Sequence, residues 1–232
     1  MNTQLVKIYE ILLKEYSHQG WWPVTEKDEL APTYKKRNSL TEKQILEICV
    51  GAILTQNTNW EPNVTTSIIN LNKENLINLE KLKKIDNKKL ISLIKSSGYY
   101  NQKTERIKLL TKFLHENPIK KLQNIETQKL RELLLKQKGI GPETADSIVL
   151  YAFSKPSFVI DAYTKRIFTR LGLMAETLDY NQMQTIFHNH LDKNPILFNE
   201  YHALLVEHAK RFCKTKPECD SCPLNKICRK IT

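Results

Sequence analysis

Glycine is scarce in this chain, with six residues in 232. So few of the residues that free turns and loops argue against a strand-and-turn architecture. The segments between breakers instead repeat apolar residues at three- and four-residue spacing, the mark of helices packed on one face. No apolar run approaches the roughly 18 to 20 residues that a membrane span needs. Lys7, Glu10 and Lys14 interrupt any signal-peptide core near the N-terminus. The expectation is a soluble, monomeric, intracellular protein, cytoplasmic and nucleoid-associated, with no membrane partner. Acidic residues are also short: 25 Asp and Glu face 36 Lys and Arg, a formal charge of +11 that favours a polyanion such as nucleic acid. Cysteine is rare but unevenly placed. Four of the five crowd into sixteen residues near the C-terminus, which in a reducing compartment points to metal, whereas Cys49 sits alone in an apolar stretch as a small core residue.

What is present, 41% hydrophobic residues in helical register, is enough for one good core or two smaller lobes. The pattern predicts helices over 4–16, 41–55, 60–71, 75–82, 86–94, 103–116, 127–136, 142–153, 161–171, 180–191 and 195–212, with no convincing strand alternation. A polar connection, 20–38, carries Trp21-Trp22-Pro23, and Pro156 marks a second junction. The fold class expected is all-α and two-lobed: 40–155 forms a central bundle, and 1–39 with 156–232 forms a discontinuous second lobe. The many lysines between Asn70 and Lys138 read as solvated helical faces.

Leu133 to Tyr151 reads LLLKQKGIGPETADSIVLY, in which one helix stops at Gly139-Ile140-Gly141 and the next starts with Pro142 in its first turn. Two glycines allow several N–H groups to turn one way, and with the positive end of the following helix they form a concavity for a phosphate oxygen. Lys136 and Lys138 add charge there. An ordinary αα corner with a glycine cap is the alternative, and the G-x-G pattern alone does not choose. Eighteen residues after Glu143, the stretch Phe158-Val159-Ile160-Asp161 leads into another helix. An acid in that place is ordinarily an N-cap. It is also where a carboxylate could stabilise positive charge developing on a sugar and orient a water.

The cysteine loop, Cys213, Cys219, Cys222 and Cys228, has the spacing C-x5-C-x2-C-x5-C. Four thiolates on one short loop suit tetrahedral zinc or a cubane cluster, and spacing leaves both open. Lys214, Lys216, Lys226 and Arg229 would meet phosphates once the loop is pinned by metal. His202 and His208 lie on different helix faces and read as packing or surface residues, and Lys210 as solvated.

The run KGIGPETAD, followed by FVIDAYTKRIFTRLG and then the cysteine loop, resembles the helix-hairpin-helix, Gly/Pro-Asp superfamily of base-excision repair glycosylases, to which endonuclease III belongs. The resemblance extends from about Thr41 to Cys228. It implies that Asp161 is the catalytic aspartate, that the four cysteines hold a 4Fe-4S cluster, and that the partner is double-stranded DNA containing a damaged base. It places Lys138, Gly139, Ile140, Gly141, Glu143 and Thr144 on the DNA. Within AILTQNTNW, Gln56 beside Asn57 resembles the residue that fills the hole left by an extruded base, with helix C-capping as the alternative. Tyr99 sits where relatives carry a wedge, with packing on the hairpin as the alternative.

There are two departures from the family pattern. The first cysteine interval is one residue short. Members that also cleave the backbone carry a lysine two residues beyond the second glycine, whose amine forms a Schiff base; Glu143 stands there and cannot form that imine. The expectation is a monofunctional glycosylase. Trp21-Trp22-Pro23 with TQNT resembles the branch that removes alkylated purines such as 3-methyladenine, cationic bases that leave readily and stack on indole. Trp21, Trp22 and Glu47 are therefore candidates for the base pocket, a linker staple and an exposed helix position being the alternatives. An oxidised-pyrimidine glycosylase, a non-catalytic DNA-binding module and a zinc-stabilised regulator are the competing functions.

Overall fold

A computed structural model describes residues 1–230. In chain order its helices are α1 (Asn2–Tyr16), α2 (Glu42–Leu54), α3 (Thr65–Lys73), α4 (Leu79–Lys84), α5 (Asn87–Ile94), α6 (Tyr100–Glu116), α7 (Ile119–Gln123), α8 (Thr127–Leu135), α9 (Pro142–Ser147), α10 (Ala162–Arg170), α11 (Tyr180–His190) and α12 (Pro195–Arg211). An antiparallel ribbon of β1 (Val24–Thr25) and β2 (Pro32–Thr33) lies between α1 and α2. The all-α class stands. Strands of two residues are too short to show alternation in sequence.

The chain folds as two compact units: Met1–Trp21 with the chain from Lys155 onward, and Trp22–Ser154. The connection 22–39, expected in the discontinuous lobe, therefore folds with the central bundle. The reason is a buried polar joint. Thr25 donates its N–H and hydroxyl to Glu47 Oε1 of α2 at 2.7 and 3.0 Å, and Asn72 of α3 donates to Thr25 Oγ1 at 2.9 Å and to the Leu30 carbonyl at 3.2 Å.

In the central unit α2 starts at a capping box, Thr41 with Gln44, and every residue from Gln44 to Leu54 is buried. A helix enclosed on all sides is apolar except where its polar groups are paired, as Gln44 and Glu47 are here, and this one runs through the bundle's core. Three expected helices differ. The one expected from Trp60 begins as a π turn with Glu61 in extended conformation, because the residue before a proline is pushed out of the α region. The one expected from Asn75 begins at Leu79, since Asn75 adopts a left-handed φ of 51° and Asn78 caps the helix through Lys81 N–H. The one expected over 142–153 widens after Ser147 into a π turn, Ile148–Ala152. In the other unit, Phe158 stacks on Phe187 with ring centroids 3.8 Å apart, and Tyr201 of α12 donates to the Leu5 carbonyl of α1 at 2.8 Å. Fully burying an aromatic or aliphatic side chain of this kind contributes about 1.5–3 kcal/mol.

Two lysines in 70–138 are not solvated. Lys108 donates to the carbonyls of Leu82, Lys83 and Ile85, ending α4. Lys103 is 0% exposed, and its ammonium donates to the Leu54 carbonyl at 2.7 Å, the Ser97 carbonyl at 2.6 Å and Thr58 Oγ1 at 2.8 Å. It thereby joins the end of α2, the turn after it, and the turn before α6. Burial, then the Arg106 charge, lowers its pKa to about 8. The amine titrates near about 10.4 in an unfolded chain. Between those values the unfolded chain holds more protons, so this residue makes stability rise with pH. Lys103→Met should lose about 2 kcal/mol at neutral pH by orphaning its acceptors. The parent's advantage over that variant should widen as pH climbs from 8, measured by urea denaturation at each pH.

Candidate functional site

The hairpin is built within the central unit. The turn after α8 closes with Ile140 N–H on the Gln137 carbonyl at 3.1 Å, and α9 starts from Gly141 with Pro142 in its first turn. Its two glycines differ. Gly139 has φ +85°, and a Cβ there would meet Arg106 Cγ at 2.5 Å, so only glycine fits. Gly141 is extended, at φ −90°, and a Cβ would touch nothing within 4 Å. The reading that both glycines supply unusual backbone freedom is thus corrected: only Gly139 does. Ile140 is buried and Thr144 lies under the turn, whereas Gly141, Pro142 and Glu143 are exposed. Lys138 is exposed and paired with Glu105 at 2.7 Å. Beneath the hairpin, Asp146, 0% exposed, accepts Arg131 Nε at 2.7 Å and Nη2 at 3.0 Å, which straps α8 to α9.

Gln56 belongs to this hairpin. Its Nε2 donates to the Gly139 carbonyl at 3.0 Å and Thr144 Oγ1 at 2.9 Å, and its Oε1 accepts Arg106 Nη1 at 2.6 Å. It does not merely cap α2. Asn57 is exposed with a left-handed φ of 53°. Tyr99 is 64% exposed and left-handed at φ 45°, directly after Gly98 at φ 65°. It is not packed on the hairpin. Lys103 bonds both turns that carry these residues.

Trp22 is buried with Trp60 edge-on at 5.3 Å and Tyr151 tilted at 5.3 Å, and a Cβ on Gly51 would press within 3.2 Å of its indole. The close approach of α2 to the indole is what Gly51 permits. Trp21 is half-buried and ends the N-terminal segment of the other unit. Glu47 is 1% exposed, neither on the surface nor open to a ligand. Burial raises its pKa, opposed by the bonds from Thr25 and Asn72, and the carboxylate serves as a strut between α2 and β1.

Asp161 opens α10 in the other unit. Its Oδ1 accepts the Thr164 N–H at 2.7 Å, an N-cap, while Oδ2 lies 3.5 Å from His202 Nε2 on α12. Burial works to raise its pKa, but the charge and hydrogen bond of His202 and the bonds from Thr164 outweigh it, and the carboxyl is held below the usual aspartate value. Capping and a functional carboxylate are thus compatible, one oxygen for each. His202, read from the sequence as packing or surface, is buried 3.5 Å from the Asp161 carboxylate.

The four cysteines, all free thiols and all half-buried, line one cavity together with Ile167, Leu171, Phe212 and Leu224. Among the described residues no three His, Cys, Asp or Glu side chains converge as ligands of a single metal ion. Arg170 Nη1 approaches Cys213 Sγ at 3.6 Å and donates to the Lys214 carbonyl at 2.6 Å, and Arg166 Nε donates to the Cys213 carbonyl at 2.7 Å. His208 Nε2 stands 3.7 Å from Cys222 Sγ, with Nδ1 2.9 Å from Tyr16 Oη. Burial lifts the Cys222 thiol pKa, and the three other cysteines push the same way. Lys214, Lys216, Lys226 and Arg229 are exposed, as is Lys210.

Arg106, Lys103 and His202 escaped the sequence reading. Each is an ordinary polar residue at helical spacing whose partner lies far along the chain.

A profile described as the HhH-GPD superfamily base excision DNA repair protein matches residues 50–193. A protein of Methanocaldococcus jannaschii, provisionally named a DNA repair glycosylase, is 44% identical over 97% of this chain and 95% of its own. A 3-methyladenine DNA glycosylase (MagIII) of H. pylori, solved with 1,N6-ethenoadenine, superposes with a TM-score of 0.69 at 29% identity, covering 90% of this chain and 97% of its own. A trapped endonuclease III–DNA covalent intermediate shares the fold, with a TM-score of 0.73 at 19% identity over 99% of this chain and 96% of its own. No helix among the described residues is long and apolar enough to cross a membrane. The chain belongs to the HhH-GPD superfamily of base excision DNA repair proteins.

Proposed function

We propose that this chain is a monofunctional DNA glycosylase that hydrolyses the N-glycosidic bond of a damaged base in duplex DNA, an alkylated purine such as 3-methyladenine above all. The observation that carries the reading is Asp161: a sheltered carboxylate kept anionic, with one oxygen fixed by the Thr164 N–H and the other 3.5 Å from His202 Nε2. As the C1′–N bond breaks, its electron pair leaves with the base and positive charge grows on the sugar. An anion fixed beside that charge lowers the barrier. Water then bonds C1′ and gives up a proton, for which Asp161 is an acceptor. A cationic alkylated purine departs as a neutral base without an acid to protonate it, which suits a site with one carboxylate. The H. pylori relative, named for 3-methyladenine, supports the choice of base. Trp21, half-buried, is the proposed stacking surface, whereas Trp22 is taken up by Trp60, Tyr151 and the close approach of Gly51. Glu47, committed to Thr25 and Asn72, is not part of that surface.

The hairpin is the proposed phosphate seat. Gly141 is glycine without a conformational need for it, and the open space above it fits a backbone-to-backbone approach by DNA. Asn57 and Tyr99, both exposed, are the proposed residues that enter the stack when the base is extruded, while Gln56, its amide bonded to Gly139, Thr144 and Arg106, holds the hairpin beside them. Glu143, exposed in the first turn of α9, offers no amine for a Schiff base.

The cysteine loop fits a 4Fe-4S cluster. Four thiols ring a cavity, as ligands on the outside of a polynuclear cluster must, whereas a zinc ion draws thiolates to one point at about 2.3 Å. Cys213, Cys219, Cys222 and Cys228 would hold it, and its chemistry when bound is to cross-link the loop and offset the charge of four thiolates. Arg166 and Arg170 fix the loop's first strand, and the exposed Lys214, Lys216, Lys226 and Arg229 are its proposed phosphate contacts.

Purified protein should be brown, with close to stoichiometric iron and sulfide; colourless protein containing zinc would overturn the cluster assignment. Incubated with duplexes carrying methylated purines or thymine glycol, it should release 3-methyladenine, leave an abasic site, and give no borohydride-trapped adduct. Asp161→Asn should lower release at least about a hundredfold while still binding DNA. Release of thymine glycol alone would sink the alkylpurine reading, efficient trapping the monofunctional one, and full activity of Asp161→Asn the mechanism. Gly141→Ser should keep at least the parent melting temperature and bind DNA more weakly, whereas Gly139→Ala should melt earlier; undiminished DNA binding by Gly141→Ser would remove the phosphate-seat reading.

A further inference from the structure

Asp161 is gripped by two elements of its unit. Its own helix, α10, takes Oδ1 through the Thr164 N–H at 2.7 Å, and α12 brings His202 Nε2 to 3.5 Å from Oδ2. His202 is 6% exposed, and its neighbour Tyr201 is fixed by a 2.8 Å bond to the Leu5 carbonyl, so the imidazole approaches Asp161 from a rigid support. The other ionisable groups near this corner are turned elsewhere. Lys165 donates to the Leu178 carbonyl at 3.4 Å, Arg166 to the Cys213 carbonyl at 2.7 Å while lying over the Tyr163 ring, and Tyr180 Oη accepts the Ile160 N–H at 3.4 Å. His208, on another face of α12, meets Tyr16 and Cys222.

We propose that His202 is a positioning residue for base release, holding Asp161 as an oriented anion through the Nε2 to Oδ2 contact. The inference rests on the reading of Asp161 as the group that serves the sugar. Its physical basis is the conflict at this carboxylate. Water is largely excluded, which by itself favours the neutral acid, and a neutral carboxyl cannot stabilise a developing cation. An N-cap bond alone fixes one oxygen and leaves the group free to protonate on the other. An Nε2–H on Oδ2 resists that proton, and both the imidazolium and the Nε2–H neutral tautomer supply it. The histidine thus acts through Asp161, without touching DNA.

The test compares parent, His202→Ala, His202→Gln and Asp161→Asn in single-turnover release of 3-methyladenine from methylated duplex DNA, from about pH 5 to about pH 9, with a melting temperature at each pH. The parent should hold its rate toward acid. His202→Ala should lose about tenfold or more at the acid end, its acidic limb moved up by about one unit or more, and should recover as pH rises. His202→Gln keeps an N–H donor and should restore most of the parent profile. A parent-like profile in His202→Ala, or a pH-independent loss shared by both His202 variants, would overturn the inference while the null activity of Asp161→Asn left the glycosylase reading standing. If Asp161→Asn releases base like the parent, or the parent releases none, reading and inference fall together.

Discussion

An ammonium group with no solvent exposure persists only where oxygens replace its water shell, and the central unit is arranged around one such replacement. Lys103 reaches from α6 to the Leu54 carbonyl at the end of α2, to Thr58 in the turn that follows, and to the Ser97 carbonyl before the next turn. Helix ends are where carbonyls lack partners. A cation supplied there satisfies them and at the same time fixes the spacing of two loops. Those loops carry Gln56 and Asn57 on one side and Gly98 and Tyr99 on the other. Both contain left-handed residues, a conformation that needs support from outside the loop. The lysine gives that support without occupying the exposed side of either loop, and one turn further along α6 Arg106 links Gln56 to the hairpin.

The other unit solves the opposite problem. A carboxylate that must remain charged while sheltered needs donors, and each donor uses an oxygen. At Asp161 the backbone of α10 bonds one oxygen and His202 stands 3.5 Å from the other, so the anion is kept by two contacts of different origin. The geometry explains why an N-cap position suits this chemistry. A cap aspartate is already oriented by its own helix and lies at the positive end of the helix dipole. Only one further donor is required to hold its second oxygen.

Much of this was legible in the sequence because it depends on residues close together in the chain. Gly139 and Gly141 before Pro142, Asp161 ahead of a helix, and four cysteines in one loop each announce a local geometry. The class of fold followed from apolar spacing. The illegible parts are polar contacts across long separations. Lys103 stands among lysines that read as solvated faces, and nothing near it in sequence shows that α2 ends against it. His202 lies at a spacing that fits any packed helix, and its role depends on where α10 delivers Asp161. The connection 22–39 looked like a linker because its tie to the bundle is made by Thr25, Glu47 and Asn72, three residues that no periodicity relates. Glu47 read as a pocket residue or an exposed helix position and is neither, because Thr25 N–H, the Thr25 hydroxyl and the Asn72 amide enclose it.

The two hairpin glycines show how the fold separates structural from functional constraint. At Gly139 the positive φ and the Arg106 side chain each forbid a Cβ, and both reasons lie inside the protein. At Gly141 neither holds: the backbone is extended, the space is open, and a capping residue such as Ser or Asn would serve the fold. A helix N-terminus with Pro142 in place has no need of glycine at its cap, where Ser, Thr, Asp or Asn would stabilise it more. The choice of glycine therefore forgoes a side-chain cap bond, at a cost of roughly a few tenths of a kcal/mol. A residue that leaves its own helix less stable and relieves no strain is explained by something that must come close from outside. On a chain of net charge +11, a phosphate backbone is the partner whose chemistry fits that approach.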